Sequence, residues 1–183
     1  MNIQELHARL VADAEREGLL DVAYRTVDTP VGSLLVAATG KGLVRVAFES
    51  GHDSALTQLA EVVSPRVLAA PRRLDLVAHQ LDEYFAGRRT GFDVPLDLRL
   101  ASGFRRAVVE HLPAIQYGRT ETYAQVAAAA GSPKAVRAVG TACAMNPVPV
   151  VVPCHRVIRS DGSYGQYAGG VEAKHALLTM EAA

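Results

Sequence analysis

The sequence predicts a mixed α+β protein: a small antiparallel sheet with its helix in the first half of the chain, and a helical second half. Residues 22–50 are rich in β-branched residues between turn signals, and apolar residues recur at helical spacing from Ser102 onward. With 183 residues and 49% hydrophobic content, the chain is long enough for a core but short for two large domains. We expect a helical extension at 1–20, an α/β domain at 21–98 and a second domain at 99–183.

The first half supplies an amphipathic helix and then strands. Asn2 with Glu5 three positions later resembles a capping box at the start of the helix. The following strand-rich stretch is broken at Thr29-Pro30 and at Gly40-Lys41-Gly42, which predicts strands joined by tight turns. A further helix is expected between about residues 71 and 87, and a linker near residues 92–101.

The second half reads as a series of helices. The helix from Ser102 is interrupted by Pro113, and Thr122 is placed to cap a helix over 123–130. Gly131-Ser132-Pro133 breaks that helix before another begins near Lys134. Helix, short turn and helix is typical of DNA-reading modules, although alanine-rich helical hairpins also occur as plain structure.

The second of these paired helices carries small residues and one cation. Ala135, Ala138, Gly140 and Ala142 are small, and Arg137 stands nearly alone among them. Such a helix suits a narrow minor groove, where the arginine could enter the base stack. It equally suits close packing against a neighbouring helix, and periodicity does not separate the two interpretations.

Composition narrows the class of protein further. Residues 1–98 carry 10 Lys+Arg against 14 Asp+Glu, and residues 99–183 carry 9 against 5. The second half is therefore the better candidate to bind a polyanion, although both halves can be ordinary solvated surfaces. Two cysteines, no signal-peptide pattern and no membrane-length apolar run predict a cytoplasmic protein without a disulfide framework. We expect no metal, because residues 1–98 lack cysteine and His7, His52 and His79 have no ligand spacing.

The run VPVVVPCHRVI contains the residue most suited to chemistry. We predict a buried strand that ends at Pro153 and delivers Cys154 to an exposed bend. A thiol needs a neighbouring base or positive charge to become a nucleophile, and His155 and Arg156 supply both kinds of group. Adjacent strand side chains point to opposite faces, so we expect His155 to reach the sulfur through a water. An isolated Cys-His pair, however, is more often a buried thiol beside a satisfied histidine.

Several motifs occur in order around that cysteine: YGRTETY, RAVG, NP, PCHRVI, GQYAGG and a Lys-to-Glu helix near the end. From Phe104 to Glu181 the chain resembles the catalytic domain of O6-alkylguanine-DNA alkyltransferases. The strand-rich half is similar to the family's N-terminal α/β domain. The resemblance implies a ribonuclease-H-like first domain and a winged-helix-like second domain with a helix-turn-helix, which binds DNA and accepts the alkyl group.

The resemblance also implies catalytic roles. Cys154 would attack the alkyl carbon, with His155 as the base through water and Glu181 orienting that histidine. Tyr123 would donate a proton as guanine leaves and would crowd the target's phosphate. Asn146 would link the helix that carries Arg137, the DNA-recognition helix of the pair, to the segment that contains Cys154. A thioether has no easy hydrolytic exit, so the transfer would occur once per molecule.

DNA contacts and a base pocket are implied in the same way. Arg137 would fill the gap left by a flipped nucleotide. The implied partner is double-stranded DNA containing O6-alkylguanine, bound by a monomer without a cofactor. The remaining implied positions are Thr122, Tyr123, Ala135, Ala138 and Gly140 for DNA, and Val157, Tyr167, Ala168 and Gly169 for the guanine pocket.

Two departures from the family pattern and three other interpretations remain. Val109 stands where a tryptophan is usual and Gln116 where proline is common, which affects packing rather than chemistry. A non-catalytic relative that binds alkylated DNA would resemble this chain but usually carries tryptophan in place of Cys154. A turnover hydrolase would need an oxyanion hole. A winged-helix transcription factor would leave PCHRVI and GQYAGG without a purpose.

Overall fold

The computed structural model describes residues 2–183, which form six strands and seven α-helices in two associated halves. The strands are β1 (Val22–Thr29), β2 (Gly32–Thr39), β3 (Gly42–Phe48), β4 (Val67–Ala69), β5 (Glu121–Thr122) and β6 (Val157–Ile158). The helices are α1 (Ile3–Arg16), α2 (His52–Val62), α3 (Asp75–Phe85), α4 (Gly103–His111), α5 (Tyr123–Ala129), α6 (Val136–Ala144) and α7 (Gly170–Glu181).

The main sheet has the strand order β3-β2-β1-β4. β1, β2 and β3 are antiparallel neighbours whose turns fall at the predicted breaks, so that part of the prediction is confirmed. β4 adds a parallel edge that the sequence did not predict, with Val22 opposite Val67. Three residues are too few to display a strand period, which is why β4 escapes notice in the sequence.

Helix α1 lies at the periphery of the first half. Its capping box between Asn2 and Glu5 is formed as predicted. The ring Nε2 of His7 lies 2.6 Å from the carbonyl oxygen of Ala69, which places the helix beside β4. No residue of α1 is buried, so the helix covers little of the core.

The sheet divides two groups of apolar side chains because successive strand residues face opposite sides. Leu34 and Val36 of β2 belong to the large core that continues into the second half. Leu35 and Ala37 face the other way and pack with Leu59 of α2, a helix that we had not predicted.

The second half packs α4, α5 and α6 together and contains the predicted helix-turn-helix. Thr122 caps α5, because its side chain accepts a hydrogen bond from the Gln125 backbone N–H. In return, the side-chain oxygen of Gln125 accepts a hydrogen bond from the Thr122 backbone N–H. Gly131 adopts φ +83° in the turn, and α6 then begins at Val136, close to the predicted start.

The predicted buried strand before Cys154 is wrong. Pro149 pairs with Val152 across a tight turn in which Val150 has φ +74°, and Cys154–Arg156 forms a 3-10 helix. Prolines at 147, 149 and 153 explain the difference, because they cannot donate the ladder hydrogen bonds of a central strand.

The two halves meet along the edge strand β3. The backbone N–H of Val46 donates to the carbonyl of Pro147 at 2.8 Å, and the N–H of Leu43 donates to that of Pro95 in the linker. Both neighbours therefore cover an edge that would otherwise be unpaired. Across residues 2–183, we find no helix with the length and apolar character needed to span a membrane.

Candidate active site

Cys154 begins the 3-10 helix at the centre of the second half and is only 1% exposed. The prediction that Cys154 lies at an exposed bend is therefore wrong, because the segment turns inward instead of ending a strand at the surface. Burial raises the pKa of the thiol to about 11, while a hydrogen bond from Asn146 and the charge of Lys174 act in the opposite direction. The thiol consequently needs a base to become a nucleophile.

His155 and Glu181 form a buried pair next to Cys154. Nε2 of His155 lies 2.8 Å from Oε1 of Glu181, and both side chains are buried. Burial lowers the pKa of His155 despite the opposing influence of Glu181, so the ring is neutral near pH 7. Nδ1 of the ring is buried and has no hydrogen-bond partner among the described residues.

Glu181 is the most heavily bonded side chain of the site. Arg156 donates to both carboxylate oxygens, from Nε at 2.8 Å and Nη2 at 2.9 Å. The hydroxyl of Tyr84 donates to Oε1 at 2.5 Å, and the backbone N–H of Gly118 donates to Oε2 at 3.3 Å. Burial opposes ionisation, but the hydrogen bonds from His155 and Arg156 outweigh it and lower the pKa of Glu181 to about 2.

The ionised carboxylate fixes the tautomer of His155. A carboxylate only accepts hydrogen bonds, so Nε2 of the ring must carry the proton that it shares with Glu181. Nδ1 is then the unprotonated nitrogen, and its lone pair is unused by the described residues. The residue adjacent to Cys154 therefore carries a buried, unprotonated ring nitrogen.

Asn146 braces the segment that leads to Cys154. Its Nδ2 donates to the carbonyl of Val152 at 2.9 Å, and its Oδ1 accepts from the backbone N–H of Val148 at 3.0 Å. Because Asn146 comes two residues after the end of α6, its hydrogen bonds link that helix to the cysteine segment.

Tyr123 and Lys174 flank the thiol from α5 and α7. Nζ of Lys174 lies 5.9 Å from the centre of the Tyr123 ring and donates to the carbonyl of Val157 at 2.6 Å. Burial raises the pKa of Tyr123, and negative charge on Cys143 or Cys154 would raise it further, so the phenol keeps its proton. Burial lowers the pKa of Lys174, with the two thiols opposing that change.

The residues expected to form the guanine pocket lie together on the segment before α7. Tyr167 packs edge-on against Phe48 at 5.6 Å between ring centres and against His155 at 6.3 Å. Gly169 also lies against the Phe48 ring, where a Cβ would have no room. Ala168 is exposed and Val157 is buried, with its carbonyl occupied by Lys174.

The expected DNA-contacting residues lie on the outward side of the helix-turn-helix. Arg137 and Ala138 of α6 are exposed, and Gly140 is partly exposed. The inward side of α6 is formed by Val139, Ala142 and Cys143. Ala135 and Thr122, at the two helix starts, are partly exposed. The small residues at 138 and 140 are therefore not packed away against a neighbouring helix.

Three side chains of the site, Tyr84, Phe48 and Lys174, were missed by sequence reasoning, and a fourth, Arg156, was expected to act elsewhere. Tyr84 and Phe48 come from the first half, at least 70 residues before Cys154 in the chain, and no local pattern links them to it. Arg156 was considered as a charge near the sulfur, whereas its guanidinium is bonded to Glu181. Lys174 was noted only as the start of a helical segment, and its complete burial was the missing signal.

Family models match both halves of the chain. One, described as the ribonuclease-like domain of 6-O-methylguanine DNA methyltransferase, matches residues 22–98. Another, described as the DNA binding domain of the same protein, matches residues 103–183.

Known relatives match over most of their length. The methylated-DNA–protein-cysteine methyltransferase of Mycolicibacterium paratuberculosis is 40% identical over 161 residues, which are 87% of this chain and 92% of that protein. The constitutive enzyme of that name from Bacillus subtilis is 40% identical, over 86% of this chain and 94% of its own. The crystal structure of Mycobacterium tuberculosis OGT in complex with DNA matches with a TM-score of 0.77 and 39% identity, covering 87% of this chain and 92% of the other. The chain belongs to the 6-O-methylguanine DNA methyltransferase family.

Proposed function

We propose that this protein repairs DNA by moving an alkyl group from O6-alkylguanine in the duplex onto the sulfur of Cys154. The observation that carries the proposal is the buried arrangement of Cys154, neutral His155 and ionised Glu181, in which one ring nitrogen of the histidine is left without a partner. The relatives named above are methylated-DNA–protein-cysteine methyltransferases, which supports the same reaction.

The first step is removal of the thiol proton. We propose that a water between the sulfur and Nδ1 of His155 carries the proton to the ring. The resulting imidazolium is stabilised by Glu181, which already accepts the Nε2–H. Lys174 lowers the energy of the thiolate, because its positive charge favours ionisation of Cys154.

The second step is a displacement at carbon. The thiolate electron pair forms the S–C bond, the bond between the alkyl carbon and O6 breaks, and its electrons stay on guanine. We propose that Tyr123 gives guanine this proton: its ring lies beside Lys174 at the site, and its raised pKa keeps the phenol protonated until guanine leaves. Tyr123 then regains a proton from water, and His155 releases to water the one it took from the thiol. The products are restored guanine and an S-alkylcysteine, and the protein is used once.

The reaction requires the damaged base to leave the stack, since the sulfur cannot approach the alkyl carbon in line inside a duplex. We propose that α6 enters the minor groove with its small exposed residues and that Arg137 fills the space of the flipped nucleotide. Tyr167, Ala168 and Gly169, with Val157, would hold the flipped guanine.

The wider assignments are part of the same proposal. Residues 21–98 would support the site, residues 99–183 would bind DNA and accept the alkyl group, and residues 1–20 would be an extension. We also propose that the protein works in the cytoplasm as a monomer. Its DNA substrate and its free Cys143 and Cys154 support that location.

The decisive experiment uses duplex DNA that carries labelled O6-methylguanine. We expect one methyl group on the peptide that contains Cys154, measured by mass analysis. Cys154→Ser should abolish transfer while duplex binding remains, and Cys143→Ser is the matched control that should still transfer. Label on any other residue, or transfer by Cys154→Ser, would refute the mechanism.

Two other outcomes would identify other functions. Tight binding with unaltered DNA and unmodified protein would indicate a non-catalytic lesion-binding relative. Repeated turnover without modified protein would indicate a hydrolase. The cysteine at position 154 favours transfer over the lesion-binding relative, which usually carries tryptophan there. The named relatives favour transfer over a hydrolase.

The flipping role has its own test. Arg137→Ala should slow repair of duplex DNA more than the reaction with free O6-benzylguanine, because only the duplex needs a replacement for the extruded base. Equal losses on both substrates would remove that role from Arg137.

A further inference from the structure

A cavity of about 260 Å³ lies where β3 and the first turns after it meet the end of α6. It is separate from the thiol, but it borders the site at two points, the exposed Ala168 and the bracing residue Asn146. Two arginines from different halves of the chain, Arg45 and Arg105, line it. Neither has a role in the transfer reaction described above.

Arg45 extends from β3 and is partly buried. Its Nη1 donates to the carbonyl of Pro147 at 3.3 Å, while its Nε is buried without a hydrogen-bond partner in residues 2–183. Burial alone lowers the pKa of this guanidinium, and no carboxylate acts to raise it. The charge therefore lacks a neutralising partner within its own surroundings.

Arg105 reaches the cavity from α4. Its Nη2 donates to the carbonyl of Leu100 at 2.8 Å, and its Nη1 lies 3.5 Å from the sulfur of Met145. Its Nε is buried and, within the described part of the chain, makes no hydrogen bond. Neutral partners thus hold the side chain in place without compensating its charge.

The chemistry of the cavity favours an anion. The residues that line it include no aspartate or glutamate, whereas Ser50 and Gln58 add a hydroxyl and an amide that can donate hydrogen bonds. Guanidinium groups are the side chains best suited to phosphate, since their planar N–H donors match its oxygens. An unpaired, partly buried charge is costly, so a bound anion would relieve both arginines.

The position of the cavity indicates which anion it receives. Ala144 and Met145, at the end of α6, form part of its wall. Arg137 and Ala144 belong to the same helix and are separated by seven positions, about 10 Å along the axis. That distance corresponds to about three nucleotides of one DNA strand. A DNA strand whose backbone ran along α6 would therefore pass the cavity.

We propose that Arg45 and Arg105 together bind a phosphate of the DNA backbone, so that the first half of the chain holds the strand in which the second half repairs the base. The inference rests on the proposed function, because it takes α6 as the DNA-facing helix. It adds a DNA contact from residues 21–98.

The test measures duplex affinity against salt concentration for the full chain and for Arg45→Gln and Arg105→Gln. Each arginine that neutralises a phosphate releases counterions, so each variant should reduce the slope of log affinity against log salt by about one. We also expect each to weaken binding about tenfold at low salt. Arg45→Lys should recover part of the affinity, because it keeps the charge.

Arg72→Gln is the matched control, since it removes an exposed arginine after β4, at the opposite edge of the sheet. It should leave the slope near that of the unmodified chain. Thermal melting of each variant checks that it folds. A second arm compares the melting temperature in inorganic phosphate and in chloride at equal ionic strength.

The outcomes separate the inference from the proposed function. Unchanged slopes in folded Arg45→Gln and Arg105→Gln would overturn the inference, even if phosphate raised the melting temperature, because the cavity would then bind only a free anion. An equal fall in the reaction with free O6-benzylguanine would place the arginines in the base pocket and also overturn it. Failure of the unmodified chain to methylate Cys154 would instead remove the repair reaction, whatever the slopes.

Discussion

Glu181 accepts five hydrogen bonds from four residues, and this number sets its charge state. A buried carboxylate would ordinarily take up a proton, but so many donors keep it ionised. Its ionisation in turn decides which nitrogen of His155 carries hydrogen. One side chain at the end of the last helix therefore determines which nitrogen of His155, the neighbour of Cys154, is unprotonated.

At this scale the motif resemblance singled out Cys154, His155 and Glu181, which the structure brings together, but not the side chains that support them. Cys154 and His155 are adjacent, and Glu181 ends the last helix in the series of motifs. Tyr84 belongs to a helix of the other half, and its contact with Glu181 depends on how the halves dock. A single sequence contains no local signal for such a contact.

The first prediction concerns Glu181→Gln. The amide cannot accept as a carboxylate does or stabilise an imidazolium, so we expect methyl transfer to slow by roughly 100-fold. Single-turnover transfer from duplex DNA measures the rate. Glu172→Gln, in the first turn of the same helix, is exposed and should transfer at the original rate.

The same variant should change the response of stability to acid. The pKa of Glu181 is about 2 in the folded protein, against an ordinary value of 4.5, so the unfolded chain binds more protons between these values. Stability from Glu181 is therefore fully present above about pH 4.5 and is lost as the pH falls toward 2. Glu181→Gln should flatten that part of the curve, measured by denaturant unfolding, and an unchanged curve would contradict the assignment.

At the scale of elements, strands with clear turn signals and capped helices could be predicted from the sequence. The irregular turn before Cys154 could not. The capping box of α5 uses only Thr122 and Gln125, so the sequence contains the whole feature. The segment before Cys154 looks like a strand because it is rich in valine. Its three prolines nevertheless prevent the ladder, and a tight turn with Val150 at φ +74° replaces it.

Helix α6 provides another prediction, because a small residue at position 140 affects both the stability of the helix and how closely the helix can approach DNA. Gly140→Ala should stabilise the helix by about 0.5–1 kcal/mol, since the added Cβ meets no other part of the protein within 4 Å. It should nevertheless weaken duplex binding if the helix approaches DNA closely. Thermal unfolding and a binding titration measure the two effects.

Gly91→Ala is the control for this variant, as it adds a methyl group to the linker, also in open space. It should not alter duplex affinity. A Gly140→Ala protein that is more stable and binds duplex as well as before would show that the small residue is unrelated to DNA.

At the scale of the molecule, the two halves share one core and one site. Leu34 of the sheet and Leu177 of α7 lie in the same apolar cluster. The hydroxyl of Tyr84 crosses from α3 to Glu181, and the ring of Phe48 supports Tyr167. The first half is therefore part of the environment of Cys154 rather than a separate attachment.

Tyr84→Phe tests that dependence. Glu181 would lose one of its donors, so we expect the free energy of unfolding to fall by about 1–2 kcal/mol and transfer to slow by about tenfold. Tyr24→Phe removes a hydroxyl from β1 and should leave the transfer rate unaltered. Normal transfer by Tyr84→Phe would mean that the first half contributes only structure.

The hydroxyl of Tyr84 has a consequence for the timing of reactivity during synthesis. Tyr84 emerges from the ribosome nearly 100 residues before Glu181, and the carboxylate receives this donor only after α7 has folded against α3. A chain released early, or one whose halves have not associated, holds Cys154 without the completed set of donors behind its base. The environment of Cys154 is therefore complete only once the two halves have associated.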